Sequence, residues 1–189
     1  RKDHRRGIER SYSQGAKFRI NEEFEEFYKI YKSFVQKKGF NLYGLSNINL
    51  ELMKKHGTLF ISEYNDEIIG GHLYLEDDKN LMLWQSASKR LGADKDMARL
   101  IGNTNRLLHW EAIKYAKKKN LKEFSFGGLW PKDEADKDMK KDSINSFKLG
   151  FGGDVVVTHT YQKIYSKIGF VKDHCSCYLY GDSPFGVIV

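Results

Sequence analysis

Residues 58–86 read TLFISEYNDEIIGGHLYLEDDKNLMLWQS, three apolar runs separated by two short polar turns. Runs of this length with β-branched and aromatic residues are typical of strands, and Asn65-Asp66 is typical of a tight hairpin turn. The second turn covers residues 77–80. We therefore predict an antiparallel meander of three strands, over 58–64, 67–75 and 81–86.

A strand–helix–strand unit follows the meander. Apolar residues at helical spacing predict a long helix from about Asn103 to Lys119, and 121–126 reads as a strand that ends at Gly127-Gly128. Strands joined through a helix run parallel to each other, because the connection must cross the sheet. The pattern predicts an α+β fold with a mixed, mostly antiparallel sheet flanked by helices.

Further elements are predicted on both sides of this region. Apolar residues from Phe24 to Val35 at helical spacing predict a helix that ends at Gly39, and Asn49 is expected to cap a second helix, 50–56. A charged loop or lid over 129–142, a short helix over 143–149 and closing strands over 154–161 and 176–180 complete the prediction.

Composition limits the class of protein. The 189 residues are 40% hydrophobic with only two prolines, which suits one globular domain. The net charge of +7 is spread among acidic residues, so we expect no DNA-binding domain, although RNA as part of a substrate stays open. No apolar run approaches the ~20 residues of a membrane span.

The cysteines indicate neither a disulfide scaffold nor a metal site. Cys175 and Cys177, with His174 beside them, are the two cysteines of the chain. A structural zinc site needs four suitably spaced ligands, so we expect no metal. Reduced cysteines agree better with a cytoplasmic location, which we predict.

Three segments together resemble a known family. They are Asn105–Ile113 (NRLLHWEAI), Lys122–Gly128 (KEFSFGG) and Phe147–Gly153 (FKLGFGG), of which the last is the most specific. Their order and spacing resemble the GNAT-like acyltransferase domain of the FemAB (methicillin-resistance protein) peptidyltransferases. The opening helix with Arg5-Arg6 also resembles the arginine-rich helix found early in such domains.

The resemblance implies an enzyme that moves an acyl or aminoacyl group to an amine. The implied donor is aminoacyl-tRNA or acyl-CoA, with no tightly bound cofactor, and the implied acceptor is an amine such as a peptidoglycan precursor. FemAB proteins usually carry two such domains, so we expect residues 1–189 to be a single GNAT-like domain, the C-terminal half of a longer protein. The alternatives are an acetyl-CoA-dependent N-acetyltransferase and a non-catalytic binding module of the same fold.

Two departures from the family pattern bear on the alternatives. Ser125 stands where the family often has an acid, so a role for an acid there is lost. Residues 90–93 (RLGA) and 99–103 (RLIGN) only partly match the loop that binds the acetyl-CoA pyrophosphate in GNAT enzymes. The motif therefore does not support acetyl-CoA, and the departures slightly favour the binding module.

Lys148 is the candidate catalytic residue, within the most specific motif. Amide formation passes through a tetrahedral oxyanion, which a fixed ammonium can stabilise. Phe147 and Phe151 are expected to exclude water around Lys148 and to contact substrate. Gly150, Gly152 and Gly153 are expected to permit a tight turn and the close approach of a ligand.

The cleft is expected at the carboxyl end of the third meander strand. In GNAT folds this strand separates from its parallel neighbour, and by resemblance Tyr74, Trp84, Gln85 and Ser86 line the opening. Arg106 is expected near the start of the long helix, where its guanidinium and the helix dipole favour phosphate.

The sequence does not single out a general base. His72, Glu63, His109 and Asp154 are the candidates, and transfer without a protein base agrees with the family.

Overall fold

A computed structural model gives the architecture and describes residues 1–39, 50–157 and 185–188. The helices are α1 (Lys2–Ser13), α2 (Phe24–Lys37), α3 (Leu50–His56), α4 (Lys95–Lys118), α5 (Lys132–Ala135) and α6 (Met139–Leu149). The strands are β1 (Lys17–Ile20), β2 (Gly57–Tyr64), β3 (Glu67–Glu76), β4 (Asn80–Ser88), β5 (Glu123–Gly128), β6 (Asp154–Val157) and β7 (Phe185–Ile188).

The strands form one mixed sheet in the order β1-β2-β3-β4-β5-β7-β6. Every neighbouring pair is antiparallel except β4 and β5, which are joined through α4 and run parallel. The α+β class, the meander and the parallel crossover are all confirmed. Asn65 and Asp66 both have positive φ, 50° and 60°, as a tight hairpin turn requires.

Helices cover the two faces of the sheet. On one face, Phe27, Ile30 and Tyr31 of α2 pack with Met53 of α3 against the meander. On the other face, α4 packs its apolar stripe against strands β2 to β5. Helix α1 lies along α4, where Gly7 and Ser11 are buried.

The largest difference from the predicted elements is the start of α4. The helix begins at Lys95 rather than near Asn103, because Asp94 caps it by accepting hydrogen bonds from the N–H groups of Asp96 and Met97, at 2.9 and 2.8 Å. The predicted loop over 129–142 contains α5 and the first turn of α6.

Two predicted strands fall partly or wholly outside the described residues. Of 154–161, the described part, Asp154–Val157, is β6. The predicted strand 176–180, the pair Cys175 and Cys177, and the expected cap Asn49 lie outside the described residues.

Candidate active site

Strands β4 and β5 pair over only part of their length. Their ladder consists of three residue pairs and ends at Met82–Ser125, although β4 continues to Ser88 and β5 to Gly128. Beyond this point β5 pairs with β7 on its other side. The hydrogen-bonded ladder therefore ends before the carboxyl ends of the two strands, as expected from the resemblance, and we call the region between these ends the cleft.

Ser125 and Gly127 shape the β5 side of the cleft. The Ser125 hydroxyl accepts a hydrogen bond from the Gly127 N–H at 3.1 Å, and Gly127 has a φ of 72°, which glycine adopts without strain. A Cβ added to Gly127 would lie 3.6 Å from the Leu83 carbonyl oxygen. Ser125 thus supports the bend that ends the strand.

A β-bulge shapes the β4 side. The register with β3 shifts from Leu73–Gln85 to Tyr74–Leu83, which leaves Trp84 as the extra residue of β4. Trp84 packs against the core beneath α2, whereas Tyr74 belongs to the core beneath α4.

The bulge corrects the expected lining of the cleft. Tyr74 is fully buried and its hydroxyl is hydrogen-bonded to Nδ1 of His109 at 2.9 Å, so its side chain lines no open surface. Ser86 is exposed and pairs with His72, on the same face as Tyr74. Trp84 and Gln85 are half-buried on the opposite face. The four residues therefore do not form one wall.

Helix α6 places Lys148 at the end of β5. The Lys148 ammonium donates a hydrogen bond to the Gly128 carbonyl oxygen at 2.5 Å. One turn earlier, the Asn145 side chain accepts from the N–H of Trp130 and donates to its carbonyl oxygen, both at 2.9 Å. These bonds fix α6 against the residues that immediately follow the strand.

Lys148 is a cation without an anionic partner among the described residues. No carboxylate there lies within 4.0 Å of its ammonium, and burial lowers its pKa to about 8. Because its hydrogen-bond partner is an uncharged carbonyl, the positive charge of this ammonium is not neutralised, and the ammonium can stabilise a negative charge that develops nearby.

Aromatic rings pack together around the end of α6 that carries Lys148. We call His4, His109, Phe126, Phe147 and Phe151 the aromatic cluster. The Phe147 and Phe151 centroids lie 5.5 Å apart, and both rings are half-buried, as expected for side chains that exclude water near the lysine.

His4 joins the cluster from α1, and sequence reasoning missed it. Its Nε2 is 2.8 Å from the Phe147 carbonyl oxygen, and its ring centroid is 4.3 Å from that of Phe151. The sequence feature that could have indicated His4 is its helical spacing to Gly7 and Ser11, with which it shares the buried face of α1.

Gly150 lies in the turn that ends α6 and packs tightly against His4. Its φ is −66°, a value that the first inner residue of a common tight turn adopts, and the N–H of Gly152 donates to the Leu149 carbonyl oxygen across it at 3.2 Å, so the expected turn is present. An added Cβ would lie 2.6 Å from the His4 ring. The left-handed conformations of the motif are at Gly152 and Gly153 instead, with φ of 92° and 98°.

Two of the candidate bases lie together. The His72 and His109 ring centroids are 4.1 Å apart, and both side chains are buried. Burial lowers the pKa of His72 to about 3, and burial, His72 and Lys148 hold the pKa of His109 well below its ordinary value. Both rings are therefore neutral near pH 7, where neither is a strong base.

The other two candidate bases lie elsewhere. Glu63 is paired with Arg19 at 2.8 Å next to the outer strand β1, and Asp154 is exposed on β6. Neither is in contact with the aromatic cluster in the described part of the chain.

Arg106 is not near the start of the long helix, contrary to expectation. It lies in the middle of α4, where its Nη1 donates to the Gly102 carbonyl oxygen at 2.6 Å. Its guanidinium carbon is 5.4 Å from the Phe147 ring centroid. The early start of α4 at Lys95 is the reason for the difference.

Arg106 nevertheless belongs to a basic pair. The guanidinium groups of Arg90 and Arg106 each lie 3.9 Å from a Cβ added to Gly102. Burial first, and then the charge of Arg90, lowers the pKa of Arg106 below its ordinary value. Two adjacent guanidiniums form a site that favours an anion.

The described residues offer neither a metal centre nor a membrane span. Within residues 1–39, 50–157 and 185–188, no group of three or more His, Cys, Asp or Glu side chains could hold a metal ion. No helix among them is both long and apolar enough to cross a bilayer.

A mixed sheet of mostly antiparallel strands, with one parallel pair and helices on both faces, is the architecture of GNAT acyltransferase domains. The profile of the family described as "Acetyltransferase (GNAT) domain" matches residues 1–141. The chain therefore belongs to the acetyltransferase (GNAT) domain family. This confirms the GNAT fold, whereas the profile does not identify the FemAB branch.

Solved structures show the same fold at low sequence identity. A probable acetyltransferase from Staphylococcus epidermidis is 16% identical, with a TM-score of 0.53, over 92% of this chain and 98% of that chain. An acetyltransferase from Streptococcus agalactiae is 12% identical, with a TM-score of 0.51, over 93% and 97%. An aminoglycoside acetyltransferase from an uncultured soil metagenomic sample is 11% identical, with a TM-score of 0.52, over 79% and 99%. No curated protein matches the sequence significantly.

Proposed function

We propose that the chain is an N-acyltransferase that moves an acyl group from an activated donor to an amine in the cleft between β4 and β5. The observation that carries the proposal is the position of Lys148. Its ammonium lies at the carboxyl end of β5, beyond the end of the ladder with β4, and no carboxylate of the described residues neutralises it.

The chemistry of the transfer needs a localised positive charge. The acceptor amine attacks the acyl carbon, and the carbonyl oxygen becomes an oxyanion. The Lys148 ammonium donates to that oxygen, while Phe147 and Phe151 reduce water access and strengthen the electrostatic interaction. The leaving thiolate or alkoxide takes the proton that the amine loses.

The first candidate donor is acetyl-CoA. The basic pair Arg90 and Arg106 supports a donor that carries phosphate. Membership of the acetyltransferase family and the shared fold of an aminoglycoside acetyltransferase support acetyl transfer to the amine of a small polar molecule.

The second candidate donor is aminoacyl-tRNA, which also carries phosphates. The FKLGFGG motif of Phe147–Gly153 supports it, because this motif is the most specific part of the resemblance to the FemAB peptidyltransferases. The acceptor would then be an amine of a peptidoglycan precursor.

A transfer assay distinguishes the donors. The chain is incubated with labelled acetyl-CoA or with labelled aminoacyl-tRNA, and with a set of amines that includes an aminoglycoside and a peptidoglycan precursor peptide. We expect labelled amide from one donor, a loss of at least ~100-fold with Lys148→Ala, and partial retention with Lys148→Arg.

The control is Lys140→Ala on the same helix, where the side chain is exposed, and it should leave the rate unchanged. Transfer that is unaffected by Lys148→Ala would contradict the assignment of the site. Binding of a donor without any transfer would favour the non-catalytic module.

A further inference from the structure

We propose that Lys148 itself accepts an acyl group, so that the cleft contains a site of self-acylation. The inference rests on the proposed function, which supplies the activated donor beside this residue. It goes beyond that function because the acceptor is the protein and the product is a modified, inactivated chain.

The surroundings of Lys148 favour an uncharged amine. Its one hydrogen-bond partner in the described residues is the neutral Gly128 carbonyl, its side chain is half-buried, and its charge is close enough to lower the pKa of His109. Only the unprotonated amine attacks an acyl carbon, and a desolvated lysine without an anion loses its proton most readily.

Two lysines elsewhere in the fold have the opposite environment. Lys119 and Lys54 are hydrogen-bonded to Glu76 and Glu25, and these carboxylates raise the pKa of both lysines. By contrast, the pKa of Lys148 is lowered to about 8. A larger fraction of Lys148 is therefore a free amine at neutral pH.

Lys148 also lies close to where a donor in the cleft would bind. The hydrogen bond from Lys148 to Gly128 lies at the surface, at the carboxyl end of β5, so a donor in the cleft presents its acyl carbon next to the amine. Lysines outside the cleft meet the donor only by collision. Effective concentration therefore favours Lys148 beyond its protonation state.

The step is a substitution at the acyl carbon. The Lys148 nitrogen forms a C–N bond, the C–S bond of a thioester breaks, and the nitrogen loses one proton to the departing thiolate. The products are an Nε-acyl-lysine and a free thiol. With acetyl phosphate the C–O bond breaks instead, and inorganic phosphate leaves.

The modification would inactivate the site. An amide cannot become an ammonium, so the positive charge that stabilises the oxyanion is lost. Excess donor in the absence of acceptor would then inactivate the enzyme. An acceptor amine in the cleft would compete with Lys148 for the acyl group and so protect the enzyme.

The experiment measures acetylation of individual lysines. The chain is treated with acetyl phosphate, a small reagent that needs no donor site, and separately with acetyl-CoA, at several pH values. Peptide mapping by mass spectrometry gives the rate at Lys148 and at the exposed Lys140 of the same helix. With acetyl phosphate near pH 7 we expect Lys148 to react at least ~10-fold faster, with a rate that levels off above pH 8.

Two variants control the experiment. Lys148→Arg should remove the fast adduct, and Phe147→Ala should slow it by admitting water to the amine. Equal rates at Lys148 and Lys140, or no adduct on Lys148, would overturn the inference even if the chain transfers acyl groups. Fast labelling by acetyl phosphate without any transfer to an amine would support the inference while the proposed function fails.

Discussion

Lys148 combines properties that seldom occur together in a lysine. Its ammonium is hydrogen-bonded to a backbone carbonyl, its side chain is half-buried, and no carboxylate of the described residues compensates its charge. Burial of an uncompensated charge is unfavourable, so such a residue is more often functional than structural. Its protonation should therefore be visible in the kinetics.

We predict a pH profile that levels off near pH 8. Below that value the logarithm of kcat/KM should rise with pH as the acceptor amine loses its proton. Above about 8, deprotonation of Lys148 should cancel this gain. In Lys148→Arg the guanidinium stays charged, so the rise should continue towards the pKa of the acceptor.

Steady-state rates from pH 6 to 10 check this prediction. The same levelling point in Lys148→Arg would show that another group titrates.

Gly150→Ala should destabilise the protein. The new Cβ would lie 2.6 Å from the His4 ring, which must move away from the Phe147 carbonyl oxygen. We expect a loss of about 1–3 kcal/mol in the free energy of unfolding, measured by urea denaturation.

The cost of Gly150→Ala should fall when His4→Ala removes the ring, since the two changes then no longer conflict. An equal cost in both backgrounds would contradict the contact.

The contact between α1 and α4 is the closest helix packing near the site. Gly7 faces α4, and an added Cβ would lie 2.8 Å from Cδ of Arg106. Helix α1 continues through Gly7 to Ser13. The absence of a side chain at Gly7 lets Arg106 lie between the helix and Phe147.

A matched pair of glycine variants tests this packing. Alanine in a helix gains up to about 1 kcal/mol over glycine, so Gly102→Ala, whose Cβ meets nothing closer than 3.9 Å, should stabilise the fold. Gly7→Ala gains the same preference but overlaps Arg106, which costs about 1–3 kcal/mol, so it should be net destabilising. Urea denaturation measures both.

If Gly7→Ala stabilised the protein as much as Gly102→Ala does, the close packing of α1 against α4 at Gly7 would contribute nothing to the free energy of unfolding.

Elements with strong periodicity were predictable from the sequence, and short elements that depend on a partner were not. The meander and Leu50–His56 were correct because alternation, turn residues and glycines act locally. Strand β1 was not predicted, because its four residues form a strand through their pairing with β2 and have no local pattern of their own. The start of α4 was missed although Asp94 is a good capping residue.

The site was predictable only in part, because side chains that meet there are far apart in the sequence. The motif predicted Lys148 and its neighbouring phenylalanines as site residues, and their role stays a prediction. No local pattern indicates that His4 lies against Phe151, or that the bulge at Trp84 separates it from Tyr74. These contacts depend on how α1 and β4 are placed by the whole fold.

The fold as a whole contains neutral histidines in its interior. His72 is 1% exposed, and neither of its ring nitrogens has a hydrogen-bond partner among the described residues. Its lowered pKa, about 3, means that the folded state resists protonation while the unfolded state, with a pKa near 6.5, does not.

Acid should therefore destabilise the molecule below pH 6.5. His72 alone should contribute a loss of about 2 kcal/mol in the free energy of unfolding between pH 7 and pH 5. His72→Leu should reduce that loss and have little effect at pH 7, because no hydrogen bond is removed. Denaturation midpoints at both pH values measure the difference.

The exposed His56→Gln is the control and should keep the acid sensitivity of the parent. Unchanged sensitivity in His72→Leu would assign the effect to other groups.

The three-pair ladder between β4 and β5 has a consequence for how the molecule responds to a ligand. Only three residue pairs join the β1–β4 and β5–β7–β6 portions of the sheet through a ladder, and α4 packs across both β4 and β5. A compound bound between β4 and β5 would contact both portions of the sheet and hold them together. Amide protons of β5 should consequently exchange more slowly with deuterium when the opening is filled.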